Sequence, residues 1–361
     1  MTTRTATRMS REIAEQPAAV RRTLAALLPL RPALADLFEG RRRVLFAARG
    51  SSDNAAVYGR YLLETHAGVS GALLSPSVAT HYRSRLDLGD AVVVCVSQSG
   101  ATQEIVSTQA WARRCGAATV AVANVADSPL VAAADLAMVT EAGPELAVPA
   151  TKTYLTQLVA MAVLGTALAP DPTALDADLD RVADEVASLI SEPDGVDDAV
   201  AALRDTDYTV VSGRGLMMGT ALETALKLEE TCLRPVRGYS YADLRHGPIS
   251  VVTTGMTALL VAAPEGPLVS AMTELAGDLS ERGATVVGLG GDDTFRTACA
   301  RIVRGPALPE TLAPLGAIVP AQLVVEGLAR ALGLDPDAPR GLAKVTTTDP
   351  GTDPTTEGAV R

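Results

Sequence analysis

The stretch Asp90-Ala-Val-Val-Val-Cys-Val-Ser97-Gln98-Ser99-Gly100-Ala-Thr102 holds the clearest chemistry in this chain. An apolar, β-branched run stops at a cluster of hydroxyls and a glycine, and a helix-like segment from Gln103 to Arg114 follows at once. A buried parallel strand feeding a helix leaves the first helical N–H groups unpaired and aimed into the turn, where they attract an anion. Ser97, Ser99 and Thr102 add hydroxyl donors there, and Gly100 lets the backbone come close. Such a phosphate cradle has no lysine and no metal-binding motif, which favours a sugar phosphate over a nucleotide. A second turn of the same kind, Arg49-Gly50-Ser51-Ser52-Asp53-Asn54, follows an earlier strand-like segment. Each turn alone also reads as a Ser- or Asx-capped helix start. Two of them at strand carboxyl ends, where open α/β sheets bind ligands, strengthen the ligand reading.

Acid–base candidates lie further along. Glu223, Lys227 and Glu230 fall at i, i+4 and i+7 on one face of a predicted helix, Thr220–Thr231. The same spacing also describes a solvated ion-pair face. One of three histidines, His246, stands before Gly-Pro in Asp243-Leu-Arg-His-Gly-Pro248, a turn that can present a side chain to a cleft; His66 and His81 lack such a setting. Lys344 ends Pro339-Arg-Gly-Leu-Ala-Lys344 and by itself reads as a surface charge. Gly213-Arg-Gly215-Leu-Met-Met-Gly219 is not a dinucleotide fingerprint: its last spacing is three residues instead of two, and no acid-tipped strand follows. No G-x-S-x-G elbow surrounds the serines considered.

These residues need a scaffold that aims them. The chain has 361 residues, enough for two ordinary domains. Its residues are 48% hydrophobic but only 3% aromatic, so Ala, Val and Leu must build the core, as in α/β proteins with buried parallel strands. Predicted strands cover 43–48, 90–96, 118–122 and 135–139. Predicted helices cover 53–66, 102–115 and 151–169, an alternation that makes βαβ units. Residues 1–38 read as a helical arm with Ser10 as a helix cap. The second half repeats the plan: Tyr208–Gly215 is similar to Leu45–Gly50, and Arg282–Leu289 to Cys115–Val122. The boundary is placed in the acidic stretch 191–198. This gives an arm (1–38), two domains (39–195 and 196–345), each a doubly wound, flavodoxin-like sheet, and a flexible tail (346–361).

A formal charge of −11 argues against nucleic acid as the main partner. The four cysteines are widely spaced and read as reduced core residues, not as a disulfide frame or zinc site. Neither a signal peptide nor a membrane span is expected, so the protein is expected in the cytoplasm, with no metal or other cofactor.

Together the motifs Ser97–Thr102, Ala150-Thr-Lys152, Ala221–Glu230, Leu244–Pro248 and Pro339–Lys344 resemble the sugar isomerase (SIS) domain family. They resemble in particular its glucosamine-6-phosphate synthase isomerase halves and free-standing deaminases. The resemblance covers about residues 10–345 and implies tandem SIS domains. It implies that Ser51, Ser52, Ser97, Gln98, Ser99, Thr102 and the segment at Ala150 hold the sugar phosphate. Glu230 becomes the proton-shuttling base, with Glu223 and Lys227 in support. His246 becomes the ring-opening group, usually supplied by the neighbouring subunit of a homodimer. Lys344 then meets the substrate carbonyl carbon. Two departures point to the deaminase and deglycase branch: no cysteine-led glutaminase domain is expected here, and Ala150 stands where the synthase has a serine. The expected reaction takes glucosamine 6-phosphate to fructose 6-phosphate and ammonia. A fructosamine-6-phosphate deglycase and a non-catalytic sugar-phosphate sensor are the alternatives.

Overall fold

A computed structural model describes residues 6–206 and 208–344. The predicted tail, 346–361, and residue 345 lie outside the described residues. Among the described residues ten strands form two five-stranded sheets. The first comprises β1 (Arg43–Ala47), β2 (Ser70–Leu73), β3 (Ala91–Val96), β4 (Ala118–Ala123) and β5 (Leu136–Val139). The second comprises β6 (Thr209–Gly213), β7 (Val236–Ser240), β8 (Thr257–Ala262), β9 (Thr285–Gly290) and β10 (Arg301–Val303). Every strand pair is parallel. The orders are β2-β1-β3-β4-β5 and β10-β9-β8-β6-β7. Counted from the start of each half, both are the flavodoxin-like order 2-1-3-4-5.

Strand alternation explains why both sheets need covering on both faces. Val44, Phe46, Val92, Val94, Val120 and Val122 enter one large central core, together with Val211, Leu259, Val261, Val287 and Leu289 of the second sheet. Their neighbours along the strands point the other way, Val93, Cys95 and Ala121 into an outer core under Trp111, and Val210, Ala258, Leu260 and Val286 into a second outer core. The helix Lys152–Ala167 is buried at every position, which its apolar composition all round permits. The arm forms helices Arg8–Ala14, Gln16–Leu27 and Arg31–Phe38, and Met9, Ile13, Val20 and Leu24 enter the central core.

Several local expectations change. The first helix is capped by Thr7, whose Oγ1 accepts from the Ser10 N–H, so Ser10 lies inside it. The predicted 53–66 helix starts at Ser51 and loosens into a π-helical turn over Leu63–Ala67. The acidic stretch 191–198, proposed below as the boundary between the halves, spans the turn between helices Asp176–Ser191 and Val196–Arg204, and both helices feed the central core. Of the cysteines, Cys95 and Cys232 are buried, whereas Cys115 and Cys299 are only partly so.

Candidate functional site

In the order 2-1-3-4-5 the ligand crevice opens between the first and third strands, where the connecting helices leave toward opposite faces. Helix Ser51–Leu62, after β1, packs Ala55, Ala56, Tyr58 and Leu62 into the central core. Helix Gln103–Arg114, after β3, packs Ile105, Trp111 and Ala112 into the outer one. Both hydroxyl turns therefore stand at the switch point of the first sheet.

Neither helix start carries a side-chain cap, although both turns are rich in capping residues. In the β3 turn the Ser97 and Thr102 hydroxyls lie 3.1 Å apart, and Ser99 Oγ accepts from the Ala101 N–H at 3.2 Å. Gly100 has φ 61°, and a Cβ there would meet Ser128 Oγ at 2.1 Å, so only glycine fits. Gln98 is half-buried, and its carbonyl accepts from the Asn124 N–H. In the β1 turn, buried Ser52 Oγ accepts from Gln157 Nε2 at 3.0 Å. The switch point of the second sheet has no such hydroxyls: Arg214-Gly215 and Ala263-Pro264-Glu265 follow β6 and β8. The crevice there is lined by Arg214, Met217, Leu268, Met272 and Glu310.

The acid–base row reaches the first sheet through a missing side chain. Helix Met218–Cys232 crosses the start of helix Ser51–Leu62, and a Cβ on Gly219 would come within 2.6 Å of the Asn54 carbonyl oxygen. The close approach lets Asn54 Nδ2 donate to Glu223 Oε2 at 2.8 Å. Glu223, Lys227 and Glu230 are thus no solvated face; their side chains are 0%, 2% and 25% exposed. Lys227 Nζ lies 3.5 Å from Glu223 and donates to Glu230. Burial pushes the Glu223 carboxyl up to about 7, even though Lys227 and Asn54 pull the other way. Burial lowers the Lys227 ammonium, but Glu223 and Glu230 outweigh it and the net direction is up.

A third acid, Glu145, escaped the sequence reading. Its carboxylate is buried and accepts from the N–H groups of Thr151 and Thr153, the Thr153 hydroxyl at 2.6 Å, and Lys344 Nζ at 2.6 Å. Burial pushes it up, yet Lys344 and these bonds hold it below the usual carboxylate range. One residue therefore anchors the Ala150-Thr151-Lys152 segment and the carboxyl-terminal lysine together. Lys344 also donates to the Ala147 carbonyl, at 2.7 Å. Glu145 also helps to raise Lys227. The arm closes the back of this loop: Glu12 accepts from the Leu146 and Ala147 N–H groups, Glu15 pairs with Lys152, and Gln16 bonds Gln322 at 2.9 Å. The only signal for Glu145 was its position in Gly143-Pro144-Glu145, just ahead of the Ala150 segment.

His246 is different. It is exposed at the end of the short helix Tyr241–Arg245, and no hydrogen bond or ion pair joins it to the acid row among the described residues. Nor is any group of three or more His, Cys, Asp or Glu side chains placed to hold a metal among those residues, and none of their helices is long and apolar enough to cross a membrane.

Fold and site together define a doubly wound α/β chain with hydroxyl turns at the switch point of its first sheet and a buried carboxylate–lysine row reaching them from the second half. The family model for the SIS domain matches residues 37–167. Among curated proteins the chain is 32% identical to a glutamine–fructose-6-phosphate aminotransferase (isomerizing) from Pyrococcus horikoshii, covering 94% of this chain and 58% of that protein. It is 34% identical to the protein of that name from Symbiobacterium thermophilum, covering 94% and 59%. The chain thus spans under three fifths of the length of these relatives. A solved structure from Silicibacter pomeroyi, provisionally named a phosphosugar isomerase, is 36% identical, with TM-score 0.84 over 92% of this chain and 100% of that one. Glucosamine-6-phosphate deaminase from Thermotoga maritima shares the fold at 22% identity, with TM-score 0.71 over 94% and 100% of the two chains. The chain belongs to the SIS domain family.

Proposed function

We propose that this chain isomerises and deaminates an amino-sugar phosphate, taking glucosamine 6-phosphate to fructose 6-phosphate and ammonia. The observation that carries the reading is the Asn54–Glu223 hydrogen bond, which seats the acid row of the second half beside the hydroxyl turn of the first. We also read the two like-ordered sheets as tandem SIS domains, 39–195 and 196–345, behind the arm.

Ser51, Ser52, Ser97, Gln98, Ser99 and Thr102 hold the ester through neutral donors, with Ala150 beside the sugar. Anchoring that end fixes the reacting carbons near the acid row. His246 exchanges a proton with the ring oxygen, an exchange suited to an imidazole near neutral pH. A second copy of the chain supplies it, which fits its exposure. Glu230, the most accessible carboxylate of the row, takes the proton from C2 and delivers it to C1, leaving an imine at C2. Lys227 holds Glu230 in place, and Glu223 ties Lys227 to the cradle. Lys344, steadied by Glu145, stabilises charge on the substrate oxygen. Water adds to the imine and ammonia leaves. No step calls for a cofactor.

An ammonia-release assay across hexosamine 6-phosphates, beside amine release from fructosamine 6-phosphate, tests this. Ammonia from glucosamine 6-phosphate is expected. Amine release from the fructosamine ester alone reassigns the chain as a deglycase. Binding of esters with no turnover of any of them makes it a sensor.

A further inference from the structure

The Arg49–Glu104 ion pair takes no part in the chemistry above, yet it joins the two turns assigned to the ester. Arg49 stands just before Gly50 in the turn after β1, and Glu104 is the second residue of helix Gln103–Arg114 after β3. Arg49 Nε donates to Glu104 Oε2 at 2.9 Å and Nη2 to Oε1 at 2.7 Å, a two-pronged contact that fixes direction as well as distance. The ladder between β1 and β3 ends at the pair Ala47–Cys95. Beyond it, no other hydrogen bond or ion pair spans residues 48–54 and 97–104 among the described residues. The Glu104 side chain is 7% exposed and that of Arg49 46%, so the acid is the fixed post and the guanidinium closes over it.

We propose that Arg49 and Glu104 form a positioning pair that sets the span between the two hydroxyl turns. Glu104 also cancels the arginine's charge, which leaves the ester to neutral donors. The proposal rests on the reading of these turns as the ester site and names the device that fixes their separation. It differs from a direct role for Arg49 in a testable way. If Arg49 served chiefly as a cationic ligand, removing the negative Glu104 would free it and tighten ester binding. If the pair sets the span, removing Glu104 loosens both turns and weakens binding.

The test is steady-state kinetics of Glu104→Gln with glucosamine 6-phosphate, together with amide hydrogen exchange of 50–54 and 97–102 in the unliganded protein. A KM raised about tenfold with kcat within about threefold is expected, since the lost contact orients the ester end and not the reacting carbons. Exchange in both turns should quicken, and the swap Arg49→Glu with Glu104→Arg should recover part of the KM. An unchanged or lower KM in Glu104→Gln overturns the proposal. If the wild type turns over no amino-sugar phosphate, the functional reading fails and exchange alone decides the pair: equal exchange in wild type and variant overturns it. Arg49→Lys keeps a cation beside Glu104 but loses the planar fork; it carries the same expectations and replaces Glu104→Gln should that variant not fold.

Discussion

Glu223→Gln should change how stability responds to pH, in a window set by the buried carboxyl. In the folded chain this group is raised from 4.5 to about 7, chiefly by burial. Between those values the native state keeps the proton while the unfolded chain releases it. The native state therefore binds more protons, and stability must fall as pH rises through the window. Below pH 4.5 both states are protonated and the full contribution is present; above 7 the loss levels off at about 3 kcal/mol. Lys227 does not distort the window, because its upward shift acts only above 10.5. Glu12 and Asp53 are also raised by burial and lose stability in the same direction. The difference between wild type and Glu223→Gln cancels both. Urea unfolding at half-unit steps from pH 4.5 to 8 measures it. The glutamine variant should gain about 3 kcal/mol on the wild type across the range, most of it between pH 5 and 7. A difference that stays flat within about 1 kcal/mol would refute the argument that burial, and not the neighbouring lysine, governs Glu223.

Glu230→Gln should keep phosphate-ester binding while kcat falls about a hundredfold or more, the scale of a lost general base; calorimetric binding beside initial rates checks this, and near-normal turnover removes Glu230 from the mechanism. Mixing Glu230→Gln chains with His246→Ala chains should restore part of the activity, because one of the two sites in a mixed dimer keeps both groups; no recovery in verified mixed dimers counts against a shared site. Gly219→Ala should cost about 1–3 kcal/mol of stability and lower activity as well, since its methyl must push the Asn54 carbonyl away and strain the Asn54–Glu223 bond; thermal unfolding with kinetics on the same sample tests both.

How far the sequence speaks depends on whether a feature is made locally. The strands β3 and β4 are legible because their side chains are buried on both faces and the residues are almost all Ala and Val. β2 and β7 are not. β2, Ser-Gly-Ala-Leu, has no buried residue and is a strand because Arg43–Phe46 of β1 pairs with it in register. β7 likewise exists through Thr209–Gly213 of β6. The hydroxyl turns could be read because strand, glycine, serine and helix stand in one short stretch. The i, i+4, i+7 row could be found but not classified, since burial of Glu223 and Lys227 is decided by helix Ser51–Leu62, far away in the chain. Glu145 was invisible for the same reason: its partner Lys344 lies 199 residues on. A lone acid in a loop carries no local pattern.

The division of labour between the halves follows from where each departs from the shared strand order. Each sheet offers a switch point with helix starts that lack a side-chain cap, but among the described residues only the turns of the first cluster hydroxyls around it. In the second, the turn after β8 is Ala-Pro-Glu, and Leu268 crowds Gly215, approaching to 2.4 Å the position a Cβ would take. That half gives up a cradle and instead sends the helix after β6 across to the first. Gly219 makes the crossing close enough for Glu223 to reach Asn54. In Gly213-Arg-Gly215-Leu-Met-Met-Gly219, the last glycine of a failed dinucleotide motif thus admits another backbone instead of a cofactor. Within the buried row Lys227 lies between the two carboxylates and donates to Glu230, while burial keeps the Glu223 proton up to about 7. Removing Lys227 would leave the acids without their cation, a cost of about 3–5 kcal/mol in buried pairs. A chain that needed only to bind an ester would gain nothing from keeping such a row beside the cradle.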